Sequence, residues 1–180
     1  MSFLDTIASS LAPAASAEDR AEARRKIKGL AANETWLRMI VEQHERIEAL
    51  LEKARTGPDA QVRRDALKDL MTELTGHSNA EEVIVYPIVS EDAGKTEAAI
   101  AYQQHAMTKV NLSKLERMDP ATEDWMEKLE HVQSAVQQHI YQEEGSWLPD
   151  VVEKASPAER EMMSRRYAEE YERYASPAAA

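Results

Sequence analysis

Four histidines and two glutamates carry the chemistry open to this sequence: His44, His77, Glu81, His105, His139 and Glu143. In His77-Ser-Asn-Ala-Glu81 and in His139-Ile-Tyr-Gln-Glu143 an imidazole stands four residues before a carboxylate. On a helix that spacing puts both groups on one face, about 6 Å apart along the axis. Imidazole mixed with carboxylate suits iron, manganese or zinc rather than copper(I) or calcium. Both motifs belong to a longer repeat, H-x-x-x-E-E-x-x-x-x-P, which starts at His77 and again at His139, with Tyr86 and Trp147 as the nearby aromatics. His44 precedes the first copy by 33 residues and His105 precedes the second by 34. Each half therefore reads as a helical hairpin that offers one lone histidine and one His-x-x-x-Glu.

The elements must bring these groups together. Apolar residues alternating three and four apart mark four long helices. The first covers about 34–56 (Leu37, Ile40, His44, Ile47, Leu51) and the second about 60–89 (Leu67, Leu70, Leu74, His77, Glu81, Ile84, Ile88). The third, with a weaker pattern, covers about 95–118 (Ala98, Ala101, His105, Thr108, Leu112, Leu115). The fourth covers about 122–152 (Trp125, Leu129, Val132, Val136, His139, Glu143). Turn chemistry separates them at Thr56-Gly57-Pro58-Asp59, Glu91-Asp92-Ala93-Gly94 and Asp119-Pro120. Short connections between long helices make neighbours antiparallel, so the expected fold is an all-α, up-down-up-down four-helix bundle.

In an antiparallel hairpin two residues are level when the turn lies midway between them. Positions 44 and 77 average 60.5, 77 and 105 average 91, and 105 and 139 average 122, each at or beside a turn. Four histidines from four helices thus meet in one layer on the inward seams. A single histidine on such a seam is commonly a hydrogen-bonded core residue. Four imidazoles and two carboxylates buried without a cation would leave polar groups unpaired at about 2–7 kcal/mol each. A metal centre removes that cost.

Around the bundle, Asn33 is expected to cap the first helix. Ser156-Pro157-Ala158-Glu159 combines a capping box with proline at the first helical position and opens a further helix of about 17 residues. Residues 17–30 read as a short charged helix, 1–16 as loosely ordered and 175–180 as frayed. The expected organisation is an N-terminal extension (1–33), a bundle (34–152) and a C-terminal helix with its tail (153–180).

Composition narrows the function. Absent cysteine excludes disulfides, thiolate catalysis, zinc fingers and an iron–sulfur cluster held by this chain alone. A net charge of -11 argues against nucleic acid or an anionic membrane as partner. No apolar run approaches the roughly 20 residues that span a bilayer. The N-terminus has no positively charged start, and Asp5 and Thr6 break its apolar stretch, so a signal peptide is not expected. A cytoplasmic location is the default expectation.

The set His44, His77-x-x-x-Glu81, His105 and His139-x-x-x-Glu143 resembles the hemerythrin family in its HHE cation-binding form, over roughly residues 34–152. That resemblance implies a four-helix bundle with a non-haem site of two iron ions, oxo- or hydroxo-bridged, in which zinc or manganese can substitute. It makes all six residues metal ligands, with the two carboxylates bridging. The oxygen carriers of the family have a fifth histidine from H-x-x-x-H on the third helix, but around His105 the matching positions are Ala101 and Lys109. One metal is then open to an exogenous ligand, or another side chain fills the gap: Tyr102, one turn before His105, or more weakly Glu42. For Tyr102 the competing reading is core packing with a wet hydroxyl.

Lys109 is read as a solvated surface lysine in preference to a proton or anion partner near the site, and His131, eight residues before His139, as having no metal role. Glu82 and Glu144, about 100° round the helix from the ligand glutamates, face solvent or hold partners of the ligands. The basic run Arg20, Arg24, Arg25, Lys26 and Lys28 is expected to dock on the bundle's own acidic surface.

Together these features point to binding of, or action on, oxygen species (O2, nitric oxide or peroxide), with catalase-like peroxide removal preferred. An iron or oxygen sensor, or a metal reservoir without catalysis, is the alternative. Repair of iron–sulfur centres is further off, because relatives that do this have an added cysteine-bearing N-terminal region. The chain is expected to act as a monomer or homodimer.

Overall fold

The computed structural model describes residues 15–92 and 94–175, which fold into six helices. The expectations for 1–14 and 176–180, and for Ala93 in the second turn, concern residues outside that range. Helix α1 is Ala17–Ala31, α2 is Thr35–Thr56, α4 is Lys95–Glu116 and α6 is Pro157–Ala175. Helix α3 (60–92) is α-helical over Ala60–Ala80, widens to a π turn over Glu81–Val85 and resumes as α-helix over Tyr86–Asp92. Helix α5 (123–154) does the same: Glu123–Gln142, a π turn over Glu143–Trp147, then Leu148–Lys154.

Local signals set most of the ends. Asp59 accepts from the Gln61 and Val62 amides at 2.9 Å, and Thr122 accepts from the Trp125 amide at 3.3 Å. Ser156 and Glu159 form the expected capping box, and Ser16 and Asp19 form another at α1. Gly94, at φ +140°, turns the chain from α3 into α4 where a side chain would be strained. Asn33 does not cap α2. The flanking residue is Glu34, whose carboxylate instead pairs with Arg160 at 2.7 Å and accepts from the Trp36 indole at 3.2 Å.

Helices α2 to α5 pack α2 on α3, α3 on α4, α4 on α5 and α5 back on α2, which closes the antiparallel ring. Every seam residue named from the sequence is buried except Thr108, which is half-buried. Burying each large apolar side chain stabilises the fold by about 1.5–3 kcal/mol. The core is divided in two. Trp36, Leu37, Ile40, Ile84 and Val85 belong to one apolar cluster, and Ile47, Leu70, Leu74, Trp125 and Val136 to the other. The histidine layer lies between them, since His44 sits between Ile40 and Ile47 on α2.

The outer helices are fastened to this ring. Helix α6 lies along α3 and α2. It approaches closely at Gly76, where an added Cβ would stand 2.8 Å from the Ala175 Cβ and 3.0 Å from the Tyr171 ring. Helix α1 packs on α2 and on the π turn of α5, with Ile27 fully buried. Two of the basic residues dock on the bundle, Arg24 on Glu48 and Glu144 and Lys28 on Glu45, whereas Lys26 pairs with Glu22 of its own helix and Arg20 donates to the Ala15 carbonyl. No helix among the described residues is long and apolar enough to cross a membrane.

Candidate metal centre

Six side chains from α2, α3, α4 and α5 converge on one buried point. His77 Nε2 lies 3.1 Å from Glu81 Oε2, and His44 Nε2 lies 3.1 Å from Glu143 Oε2. His139 Nε2 is 3.3 Å from Glu143 Oε2, His105 Nε2 is 3.5 Å from Glu81 Oε2, and the two imidazoles are 3.0 Å apart. All six residues are at least nine-tenths buried. The level positions computed along the chain are therefore level in space.

Every imidazole turns Nε2 inward because Nδ1 is anchored on the outer side. His44 Nδ1 meets Glu144 at 2.8 Å, His77 Nδ1 meets Gln43 at 2.9 Å, His105 Nδ1 meets Glu82 at 3.1 Å, and His139 Nδ1 meets Gln104 at 2.7 Å. The acceptors repeat with the motif. In each half the glutamine preceding the lone histidine holds the His-x-x-x-Glu histidine, and the glutamate following the ligand-motif glutamate holds the lone histidine of the other half. Each such glutamate leans on a cation: Glu144 on Arg24 at 2.6 Å and Glu82 on Lys109 at 2.8 Å. Lys109 is thus not a free surface lysine. Gln43 and Gln104 escaped the sequence reading, although both stand immediately before a candidate ligand.

The π turns begin at Glu81 and Glu143. The Glu81 carbonyl accepts from the Tyr86 amide and the Glu143 carbonyl from the Leu148 amide, five residues on. Such wide turns are rare and gather at functional sites. They bring Tyr86 inward, so its hydroxyl lies 2.9 Å from Glu143 Oε1, 3.0 Å from His105 Nε2, 3.3 Å from Glu81 Oε2 and 3.4 Å from His139 Nε2. Tyr102 is directed elsewhere. Pro87 has no N–H to continue the π pattern to the Glu82 carbonyl, and the Tyr102 hydroxyl donates to that carbonyl at 2.7 Å. Glu42 and His131 are exposed and apart from the cluster.

The electrostatics are those of a site built around a cation. Burial opposes charge on His44, but Glu143 and Glu144 outweigh it and hold its pKa up at about 10. Burial pushes His77 well below the ordinary imidazole value and His139 down to about 3. Burial and the neighbouring Glu143 push Glu81 well above the carboxylate range, while His139 and His44 overcome burial to hold Glu143 below it. Burial, with both carboxylates beside it, also raises Tyr86. His44 Nε2, Glu81 Oε1 and Glu143 Oε2 are buried with no hydrogen-bond partner. Imidazole nitrogens and carboxylate oxygens that converge on a common point are the donor set of a metal ion, which would displace the proton that His44 keeps without it.

The donors fall into two groups, each within 4.8 Å: His44, His77, Glu81 and Glu143, and Glu81, His105 and His139. Helical bundles commonly build metal sites this way, from inward side chains on facing helices. The family model for the hemerythrin HHE cation-binding domain matches residues 35–151, and the chain belongs to that family. It is a metal-binding domain of the hemerythrin type. Among curated proteins, a DNA nickase from Nostoc sp. is 20% identical over 124 residues, which make up 69% of this chain and 35% of the nickase.

Proposed function

We propose that this chain is a dinuclear non-haem iron protein that binds and consumes small oxygen species, with catalase-like removal of hydrogen peroxide as its activity. One observation carries the reading: the buried donors fall into two groups that share Glu81, and each group could hold one ion. His44, His77, His105, His139, Glu81 and Glu143 would hold the two ions, with Glu81 common to both donor groups. Four Nε2 atoms and four carboxylate oxygens are fewer donors than two six-coordinate ions accept, which leaves room for a small exogenous ligand. Neither Ala101 nor Lys109 supplies the further imidazole of the oxygen carriers.

When bound, a pair of irons exchanges electrons with O2, nitric oxide or peroxide. The chain's own residues prepare for that chemistry. The four Nδ1 anchors fix the tautomer and angle of each imidazole. The apolar clusters on either side keep bulk water out. A cavity of about 120 Å³ between α3 and α4, lined by Leu74, Ser78, His105 and Thr108 among others, reaches the histidine layer and is sized for small molecules. With a net charge of -11, the chain disfavours a phosphate backbone as partner, so the reading stays with small ligands although one relative is named a DNA nickase.

The test is metal content per chain with the visible spectrum and an oxygen electrode. About two irons per chain and oxygen evolution on adding peroxide are expected from a pair of ions on this ligand set. No stoichiometric metal in freshly purified protein would overturn the reading. A second reading, an iron or oxygen sensor, is favoured by the way the outer helices reach the site. Helix α1 touches it through Arg24, Glu144 and His44, and α6 through Tyr167, whose hydroxyl donates to Gln43 at 2.6 Å beside His77. Two irons without peroxide turnover, combined with metal-dependent protection of α1 and α6 from proteolysis, would select it.

A further inference from the structure

The two donor groups are unequal. His44, His77, Glu81 and Glu143 make four, whereas Glu81, His105 and His139 make three. We propose that the Tyr86 hydroxyl is a seventh protein donor, which completes the smaller group; the proposal rests on the dinuclear reading above.

The distances place this oxygen among the ligands rather than beside them. Donor atoms about 2.1 Å from one ion, at octahedral or tetrahedral angles, lie about 3.0–3.4 Å from each other. Neighbouring ligand atoms stand at or close to such separations, from 3.0 Å between His105 and His139, through 3.1 Å for His77 with Glu81 and for His44 with Glu143, to 3.5 Å between His105 and Glu81. Tyr86 Oη keeps the same ones, 2.9–3.4 Å, to Glu143, His105, Glu81 and His139 together. A phenol that served only as a hydrogen-bond donor has one proton and needs one acceptor. This oxygen faces four donor atoms at once.

Tyr86 is also held for the task. Its ring is fully buried, and it packs edge-on to Tyr102 with centroids 5.1 Å apart and tilted against His105 at 5.2 Å. The π turn that starts at Glu81 aims it. In the repeat, H-x-x-x-E-E-x-x-x-x-P, the residue before the proline is Tyr86 in the first half and Leu148 in the second. Leu148 is likewise fully buried and ends the equivalent π turn, but it offers no donor. At this position the two halves of the repeat differ, and the tyrosine stands beside the smaller donor group.

Coordination displaces the phenolic proton, because a bound cation reverses the unfavourable field of Glu81 and Glu143. An anionic oxygen donor stabilises iron(III) over iron(II) by simple charge attraction. That tilts the centre away from reversible oxygen carriage, which needs iron(II), and toward peroxide chemistry.

The experiment compares the full-length protein with Tyr86→Phe and Tyr102→Phe after loading with iron(III). Iron per chain, helix content, the visible spectrum and the resonance Raman spectrum are measured. The wild type and Tyr102→Phe are expected to show a tyrosinate-to-iron charge-transfer band with ring vibrations of a coordinated tyrosinate. Tyr86→Phe is expected to stay helical, to bind iron and to lose the band completely. Iron-loaded wild type with no such band overturns the proposal and leaves the dinuclear centre standing, even if Tyr86→Phe does not fold. A band that survives in Tyr86→Phe, or that is lost in Tyr102→Phe, also overturns it. Failure of the wild type to take up iron overturns both readings.

Discussion

Replacing Glu144 with glutamine isolates how far the anchors behind the histidines control the metal. Glu144 is 2% exposed and stands between His44 Nδ1 at 2.8 Å and Arg24 Nε at 2.6 Å. Glutamine keeps the volume, but if its oxygen serves His44 its NH2 is set against the Arg24 guanidinium. Loss of such an anchor weakens metal binding about 10–100-fold, which is about 1.4–2.7 kcal/mol. At a fixed free metal concentration that corresponds to a melting temperature lower by roughly 3–11 °C for a chain of this length. Glu82 has the same role behind His105, but its side chain is 24% exposed and its partner Lys109 39%, so Glu82→Gln should fall at the weak end of the range. Chelator competition gives the affinities, and calorimetric melting with and without metal gives the stability difference. Wild-type affinity in Glu144→Gln, or a larger loss in Glu82→Gln, would refute the reasoning.

Three further outcomes are expected. His77→Ala removes a proposed ligand that Gln43 orients, so metal content should fall by at least half and any peroxide turnover should vanish, whereas His131→Ala, at an exposed position, should leave both unchanged; elemental analysis separates the two. Gly76→Leu forces a side chain into the contact of α3 with Ala175 and Tyr171, and urea unfolding should show about 1–3 kcal/mol of lost stability. In the metal-free protein His44 keeps its proton up to about pH 10, yet a ligand imidazole must be neutral, so metal loading between pH 7 and 9 should release a proton and tighten as the pH rises. Binding heats that do not depend on the ionisation heat of the buffer would contradict that last expectation.

What the sequence determined by itself was the layer. Helix period and turn position are local properties, and together they fix the height and the face of each seam residue. His44, His77, Glu81, His105, His139 and Glu143 accordingly lie where their spacing puts them. The α6 capping box was legible for the same reason, because Ser156 and Glu159 bond within one turn.

Tertiary structure decided the rest. On a regular α-helix Tyr86 lies about 140° round from Glu81 and would face away. A π turn, invisible to a 3.6-residue period, turns it into the centre, and the proline that follows leaves a carbonyl that draws Tyr102 off to the side. The anchors were hidden because their partners come from other helices. Glu144 and His44 are 100 residues apart, and Glu82 and His105 are 23 apart. A glutamine or glutamate beside a ligand resembles any solvated helix face until the packing of α1, α4 and α6 buries it against an imidazole. Ligand positions follow from the rise and turn of single helices, whereas their orientation, and the oxygen that joins them, depend on what the bundle presses against each ring.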